Sequence, residues 1–249
     1  MTEFHAEQTV GSIVAARPAL SRVFEIYGID YCCGGKKALR LACAEKALDE
    51  GAILAELARQ ESNADETGFV DAASMSLTEL ADHIEQTHHA YLRAEFPRLL
   101  RMTERVASVH GDKDERLAAI RDTVKALVNE LSSHLMKEEL VLFPIVRRLD
   151  ASDVPVVSHC GSIGNPIRQM EHEHQDAGGA LGQLRSLSDD FTPPEWACNT
   201  YRAMLDALAH FEHDMHQHIH KEDNVLFPRA LERESELARQ QFATQGGSR

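Results

Sequence analysis

The sequence has few aromatic residues, few cysteines and no long hydrophobic run. Aromatic residues make up 6% of the chain, and stretches typical of β-strands are scarce, so the composition favours helices. Five cysteines are a sparse, odd set that argues against a secreted disulfide scaffold. No apolar stretch reaches the roughly 18 residues of a membrane helix, and the first residues lack an apolar signal core. We therefore expect a cytoplasmic protein that does not act at a membrane.

The sequence also lacks a block of lysine and arginine. The formal net charge is −14, which disfavours nucleic acid and anionic membranes as partners. Hydrophobic residues make up 43% of the 249 residues, enough for a sizeable core. Histidine is frequent, with 14 residues, and the clustering of these histidines is more informative than their number.

The distribution of helix-forming segments predicts two domains. We assign residues 1–61 to a small N-terminal helical domain, residues 62–75 to a polar linker and residues 76–238 to a helical bundle. Residues 239–249 are predicted to be a disordered tail. The N-terminal domain has few large apolar side chains and is marginal alone, so we expect it to dock on another part or to stay mobile.

Four long helices are predicted after the linker. They span about residues 77–109, 114–149, 164–188 and 194–236, and are called the first to fourth bundle helices below. Their connections are short apart from a longer loop at residues 150–165. The sequence therefore predicts an all-α fold, with an up-down-up-down four-helix bundle.

One motif occurs twice, on the second and fourth bundle helices. His134, Glu138, Phe143 and Pro144 recur 84 residues later as His218, Glu222, Phe227 and Pro228. Each copy places a histidine and a carboxylate four residues apart, and therefore one turn apart on the same helix face. An isolated pair of this kind is usually a solvated ion pair, but the duplication favours a shared metal site.

Helical phase places both copies on the apolar stripe of their helix. The stripe of the second helix contains Ile120, Val124, Leu127, Leu131, His134, Glu138, Val141 and Ile145, and that of the fourth contains Met204, Leu208, Phe211, Met215, His218, Glu222 and Val225. Burial of an ionised carboxylate costs several kcal/mol unless it is paired or binds a metal. We therefore expect each histidine and glutamate to face a metal.

The first and third bundle helices each offer a further histidine. On the third helix, His174 lies on the apolar stripe and His172 does not. On the first helix, the downstream apolar residues favour His89 and the upstream ones favour His88, so phase leaves both open. The spacing of the repeat pairs His88 with His172, against the phase of the third helix.

With His89 chosen, six residues form the predicted ligand set: His89, His134, Glu138, His174, His218 and Glu222. Four imidazoles and two carboxylates suit a dinuclear centre in which both carboxylates bridge the two metals, with an oxo, hydroxo or water oxygen between them. Iron or manganese fits this set better than structural zinc. The other histidines of the bundle are predicted to lie at the surface or outside the ligand sphere, namely His83, His88, His172, His210, His213, His216 and His220.

Taken together, the motifs resemble a known family over nearly the whole chain. The chain resembles hemerythrin-like proteins and, more closely, the repair-of-iron-centres family of YtfE/ScdA-type di-iron proteins. Three features carry the resemblance: Asp30-Tyr-Cys-Cys-Gly-Gly35, His134-x3-Glu138 with Leu142-Phe-Pro144, and His218-x3-Glu222 with Val225-Leu-Phe-Pro228. Residues 170–178 also resemble the family's third-helix motif, and Pro97 follows His89 at the family's spacing. These matches favour His174 and His89.

The resemblance implies a protein that repairs iron–sulfur clusters damaged by nitrosative or oxidative stress, by supplying iron from a centre of two non-haem iron ions. Damaged iron–sulfur proteins are the implied partners, and nitric oxide or oxygen species are the implied small ligands. Oxygen-carrying hemerythrins have one more histidine ligand, so reversible oxygen carriage is disfavoured. Two alternatives remain open: a di-iron enzyme similar to a nitric oxide reductase, and a module that binds or sequesters nitric oxide. Formation of a homodimer is also left open.

The Cys32-Cys33 pair fits the short N-terminal domain of that family. Adjacent thiols in a glycine-rich turn could be redox active, assist iron transfer, bind a soft metal or contact a target protein. Alternatively, they are small residues that fill a turn. Glu130, Glu139 and Glu173 are candidates for an iron or proton path near the ligands, or are ordinary solvent-facing acids.

Overall fold

The computed structural model describes residues 4–63 and 70–246, and these residues are mainly helical. The α-helices are α1 (Val10–Ala16), α2 (Ser21–Ile26), α3 (Leu39–Glu45), α4 (Glu50–Asn63), α5 (Leu77–Ile84), α6 (Ala90–His110), α7 (Arg116–Lys137), α8 (Phe143–Ala151), α9 (Gly164–Leu187), α10 (Asn199–Lys221) and α11 (Phe227–Gly246). These two ranges contain no β-strand, only an isolated bridge between Thr9 and Ala38. The predicted all-α fold, a helical bundle with a small N-terminal part, is confirmed.

In the part of the chain that the structure describes, no helix is long and apolar enough to cross a membrane.

The chain divides into two compact units. The first unit comprises the residues up to Leu80, residues 148–157 and the residues from His216 onward. The second unit comprises residues 81–147 and 158–215. The domain boundaries drawn from the sequence remain predictions, and residues 64–69 of the predicted linker lie outside the described residues.

In the first unit, the short N-terminal helices enclose an apolar core. Its buried residues are Val10, Ile13, Val14, Leu20, Val23, Phe24, Ile29, Tyr31, Leu39, Ala42, Cys43, Ile53 and Leu57. Thr9 caps α1, since its side chain accepts a hydrogen bond from the backbone N–H of Ser12. Gly28 follows α2 with a φ of +62°, which glycine adopts without the steric cost of a Cβ. The N-terminal segment does not stand alone, because Gln217 and Asn224 in the same unit donate hydrogen bonds to it.

In the second unit, the long helices bury the stripes that the sequence predicts. The apolar stripe of α9 is buried from Ile163 to Leu184, and that of α7 from Ile120 to His134. α7 packs against both α6 and α9. Pro97 lies inside α6, and the rings of Phe96 and Phe211 meet edge to face at 6.3 Å.

Within residues 4–63 and 70–246, three π-helical segments interrupt the long helices, at Glu85–His89, Glu138–Leu142 and Glu222–Leu226. The prediction of continuous α-helices is wrong here. The second and third segments directly precede Phe-Pro, and proline has no N–H and clashes with the carbonyl one turn back. Because a π-helical turn holds an extra residue, the phase shifts after it. Leu142 is therefore fully buried in place of the predicted Val141.

The predicted ends of the fourth bundle helix also differ from the structure. α10 begins at Asn199 rather than residue 194, because the residues after Pro194 form a turn in which the N–H of Ala197 donates to the carbonyl oxygen of Pro194. α11 continues to Gly246, so the tail predicted as disordered is helical between residues 239 and 246. Arginine, glutamine and alanine in this stretch are good helix formers. Residues 247–249 lie outside the described residues.

Candidate metal centre

In the second unit, two histidines face the carboxylate of Glu138, the first residue of the second π-helical segment. Nε2 of His89, at the end of the first π-helical segment, lies 3.4 Å from Oε2 of Glu138. Nε2 of His134, in the last turn of α7, lies 3.2 Å from Oε1 of Glu138. Nε2 of His174 on α9 lies 3.1 Å from Nε2 of His134. Glu138 and His89 are both 0% exposed, so neither side chain contacts bulk solvent.

The other ring nitrogens of these histidines are held by carboxylates. Nδ1 of His89 lies 2.7 Å from Glu139, and Nδ1 of His134 lies 2.8 Å from Glu173. An ionised carboxylate only accepts hydrogen bonds, so Nδ1 carries the proton and Nε2 of the neutral ring presents a lone pair. Histidines that bind metals in proteins are commonly oriented by such outer carboxylates.

Basic residues keep these outer carboxylates ionised. Burial acts to raise the pKa of Glu139, but hydrogen bonds from Arg93 and His89 outweigh it and lower that pKa. Burial likewise acts against ionisation of Glu173, yet hydrogen bonds that include one from Lys137 lower its pKa to about 2. Both groups are therefore ionised at neutral pH and can accept a hydrogen bond from the Nδ1–H of the histidine.

The atoms at the centre of this group suit a cation. When the rings are neutral with the proton on Nδ1, Nε2 of His89 and Nε2 of His134 each direct a lone pair at an oxygen of Glu138, at 3.4 and 3.2 Å. Facing acceptors repel unless a cation or a proton lies between them. Nitrogen and oxygen ligands that bind one metal at about 2.1 Å are about 3.0–3.4 Å apart. Nε2 of His134 meets this distance to both Glu138 and Nε2 of His174, at 3.2 and 3.1 Å, and ligand atoms of all three residues lie within 4.8 Å of one another.

The second copy of the motif lies in the first unit and has the same local geometry. Nε2 of His218, in the last turn of α10, lies 3.1 Å from Oε1 of Glu222, the first residue of the third π-helical segment. Both side chains are 0% exposed. In both copies the histidine lies in the last turn of an α-helix, the glutamate four residues later begins a π-helical segment, and both side chains are buried.

Some of the histidines predicted to lie outside the ligand sphere are buried. His88 is buried, and its Nδ1 lies 2.8 Å from Asp214 in the second unit. His220 is buried in the first unit, where its Nδ1 lies 3.3 Å from the carbonyl oxygen of Tyr31 and burial lowers its pKa to about 4. By contrast, the side chain of His172 is 67% exposed, as the phase of α9 predicts.

Helical phase could not separate His88 from His89 because both lie in the first π-helical segment. The upstream and downstream stripes are therefore offset, and each points to a different histidine. Phe143 is a further contact that the sequence did not reveal: its ring stacks on His89 with centroids 5.6 Å apart. The sequence predicts Glu139 and Glu173 near the ligands, since each adjoins one, but as a path or as solvent-facing acids and not as partners of His89 and His134.

A polar pocket of about 320 Å³ lies beside His134 in the second unit. Its lining includes Glu130, Lys137, Glu173 and Asp176. Two of the three acids suggested as a path from the sequence, Glu130 and Glu173, therefore border one cavity, whereas Glu139 contacts His89 and Arg93. The sequence did not predict that Lys137 and Asp176 line this pocket.

The cysteine pair lies in the first unit, in the turn between α2 and α3. All five cysteines of the chain are thiols, and Sγ of Cys32 is 3.8 Å from Sγ of Cys33. The hydrogen bond to Cys33, together with burial, raises the pKa of Cys32 well above its usual range. The structure therefore holds two neighbouring reduced thiols, one buried and one half-buried.

Two domain families match the sequence. The family described as "Hemerythrin HHE cation binding domain" matches residues 80–230, and the ScdA_N family, described as "Domain of Unknown function (DUF542)", matches residues 6–61. The first match contains all six predicted ligands, and the second contains both adjacent cysteines.

Curated relatives are similar over most of the chain. An iron-sulfur cluster repair protein YtfE from Dickeya chrysanthemi (strain Ech1591) is 38% identical over 231 residues, which cover 91% of this chain and 98% of the relative. The protein of that name from Escherichia coli O157:H7 is 37% identical, with coverages of 91% and 98%. A probable iron-sulfur cluster repair protein from Haemophilus influenzae is 33% identical, with coverages of 91% and 97%. The chain belongs to the YtfE family of iron–sulfur cluster repair proteins, with an ScdA-type N-terminal domain and a hemerythrin-type cation-binding domain.

Proposed function

We propose that six residues bind two non-haem iron ions: His89, His134, Glu138, His174, His218 and Glu222. The observation that carries this proposal is the approach of Nε2 of His89 and Nε2 of His134 to the buried carboxylate of Glu138, at 3.4 and 3.2 Å. The matching geometry of His218 and Glu222 and the extent of the cation-binding domain support the full set. Glu138 and Glu222 are the proposed bridging ligands, with an oxo or hydroxo bridge beside them.

We further propose that the protein repairs damaged iron–sulfur clusters by giving up iron. The names of the curated relatives support cluster repair. The pocket beside His134 supports the release of a cation, because the acids Glu130, Glu173 and Asp176 border it. The targets are iron–sulfur proteins that have lost iron or carry nitric oxide.

The ligand set is tested by metal analysis of two neighbouring histidine variants. We expect about two irons per chain in the loaded protein, and a magnetically coupled signal in electron paramagnetic resonance. His174→Ala is expected to lose iron, whereas His172→Ala, on the exposed side of α9, should retain all of it. A single zinc per chain, or equal iron in both variants, would contradict the proposed centre.

The repair function is tested with an enzyme whose [4Fe–4S] cluster has been damaged by nitric oxide. We expect the iron-loaded protein to restore its activity and to lose iron as it does so. Catalytic turnover of nitric oxide with retention of the protein's iron would instead indicate a reductase. A stable iron–nitrosyl adduct without reactivation would indicate sequestration. Either result would overturn iron donation.

A further inference from the structure

The turn between α2 and α3 brings together three side chains that can bind a metal, all within the first unit. Oδ1 of Asp30 lies 3.2 Å from Sγ of Cys32, which in turn lies 3.8 Å from Sγ of Cys33. All three ligand atoms lie within 4.8 Å of one another. We propose that Asp30, Cys32 and Cys33 form a second metal site, specific for a thiophilic divalent cation of the Fe²⁺, Co²⁺ or Zn²⁺ class.

The separation of the two sulfur atoms matches a chelate rather than a disulfide. A disulfide requires sulfur atoms about 2.05 Å apart, and a bridge between adjacent cysteines strains the peptide between them. Two thiolates that bind one tetrahedral ion at about 2.3 Å lie about 3.8 Å apart. The thiols are therefore already at the distance that a metal needs, before any rearrangement.

The carboxylate of Asp30 is fixed by the backbone of the same turn. Its Oδ1 accepts a hydrogen bond from the N–H of Cys32 at 3.0 Å, and its Oδ2 accepts one from the N–H of Gly34 at 2.9 Å. Oδ1 also accepts a hydrogen bond from the Cys32 thiol at 3.2 Å, and the lone pair used there becomes available to a metal when the thiol loses its proton. The three ligands thus belong to one ordered loop, and metal binding does not need a long segment to fold first.

The turn is also held in place by the helix that carries the second histidine–glutamate motif. Nδ2 of Asn224 donates to the carbonyl oxygen of Cys32 at 3.0 Å, and Nδ1 of His220 lies 3.3 Å from that of Tyr31. Gly35 makes this approach possible, because a Cβ there would lie 2.3 Å from the Asn224 side chain. Asn224 therefore positions the loop without itself binding the ion.

Access and ligand number distinguish this site from the buried histidine–glutamate groups. Asp30 is exposed and Cys33 is half-buried, so an ion from solvent can reach the sulfur atoms. Binding releases the thiol protons to solvent. Three protein ligands leave one coordination position open, as in zinc sites that exchange a fourth ligand. Such a site takes up and gives back its ion more readily than a closed four-ligand site.

The test is a titration of the full-length reduced protein with Co²⁺ in the absence of oxygen. Cobalt bound by thiolates absorbs in the near ultraviolet by charge transfer from sulfur, and the six ligands of the proposed iron centre include no sulfur. We expect this absorption to saturate at about one Co²⁺ per chain. The double variant Cys32→Ser, Cys33→Ser should lose it, and Asn224→Ala should weaken the affinity about 10–100-fold.

The matched control is the double variant Cys160→Ser, Cys198→Ser, which removes two thiols outside the turn and should leave the absorption unchanged. The helical circular dichroism of each variant reports whether it has folded. If the turn variant fails to fold, Asp30→Asn, which keeps both thiols, should still weaken the affinity about ten-fold or more. Absence of the sulfur absorption in the wild type, or its survival in the turn variant, would overturn the site. Neither result depends on whether the protein donates iron.

Discussion

Each of two proposed histidine ligands is oriented through the ring nitrogen that faces away from Glu138. Glu139 holds His89 and Glu173 holds His134, and a basic residue in turn pairs with each carboxylate: Arg93 with Glu139 at 2.6 Å, and Lys137 with Glu173. This chain of charges fixes the tautomer in which Nε2 is available to a metal. The acids next to the ligands thus act on the site without contacting the ion.

Replacement of these outer acids should weaken iron binding while the ligands remain. We expect Glu139→Gln and Glu173→Gln each to reduce iron affinity about 10–100-fold, because the amide no longer fixes the histidine tautomer. Competition with a chelator of known affinity measures the change. Glu104→Gln is the matched control, since Glu104 is a mostly exposed acid on α6 that pairs only distantly with Arg121 at 3.8 Å. Equal loss in the control would indicate a general effect of charge.

The three π-helical segments are the places where a constant α-helical period no longer predicts which side chains are buried. Glu138 and Glu222 each begin a π-helical segment, and His89 ends one. A constant α-helical period holds along α9, where it predicts the buried position of His174 and the exposed position of His172. It fails across Glu85–His89, where an extra residue per turn brings both His88 and His89 into the interior.

Contacts between segments distant in sequence could not be predicted from the helical periodicity either. Nothing in residues 30–35 predicts that Asn224 will bind the carbonyl oxygen of Cys32, or that Gln217 will donate to the Tyr31 hydroxyl at 2.8 Å. Periodicity reports which face of a helix is buried, and does not report what covers that face. The stripes, the repeat and the helical class could therefore be predicted, whereas the pairing of the outer acids with the histidines and the contacts of the cysteine turn needed the structure.

Two glycine-to-alanine substitutions should have opposite effects on stability, because one glycine lies close to neighbouring atoms and the other has open space around it. Gly35→Ala should destabilise the protein by about 1–3 kcal/mol, because the new Cβ overlaps Asn224 and the carbonyl oxygen of Tyr31. Gly179→Ala, inside α9, has no neighbour within 4 Å of the added Cβ and should stabilise by up to about 1 kcal/mol. Chemical denaturation of both variants measures the free energy of unfolding. Equal effects of the two substitutions would show that Gly35 is not a site of close approach.

For the molecule as a whole, buried carboxylates make stability depend on bound metal. Glu138 and Glu222 are both 0% exposed in a chain whose formal net charge is −14. Without a cation, each must remain ionised in a water-poor site or take a proton there, and both states cost free energy. An iron ion removes this cost and adds its own binding free energy, so the proposed centre is also a stabilising element.

We therefore expect that iron decides whether the wild type or a variant without the two buried carboxylates is the more stable protein. At free iron 100-fold above its dissociation constant, the wild type should gain about 2.7 kcal/mol. For a chain of this size, that raises the melting temperature by roughly 5–10 °C. The double variant Glu138→Gln, Glu222→Gln should bind no iron and show no such gain. After iron removal, however, the variant should melt at a higher temperature than the wild type, because its buried amides are uncharged. Scanning calorimetry of both proteins, with and without a ferrous chelator, tests this order. A metal-free wild type that is more stable than the variant would mean that the buried carboxylates are satisfied by the protein alone.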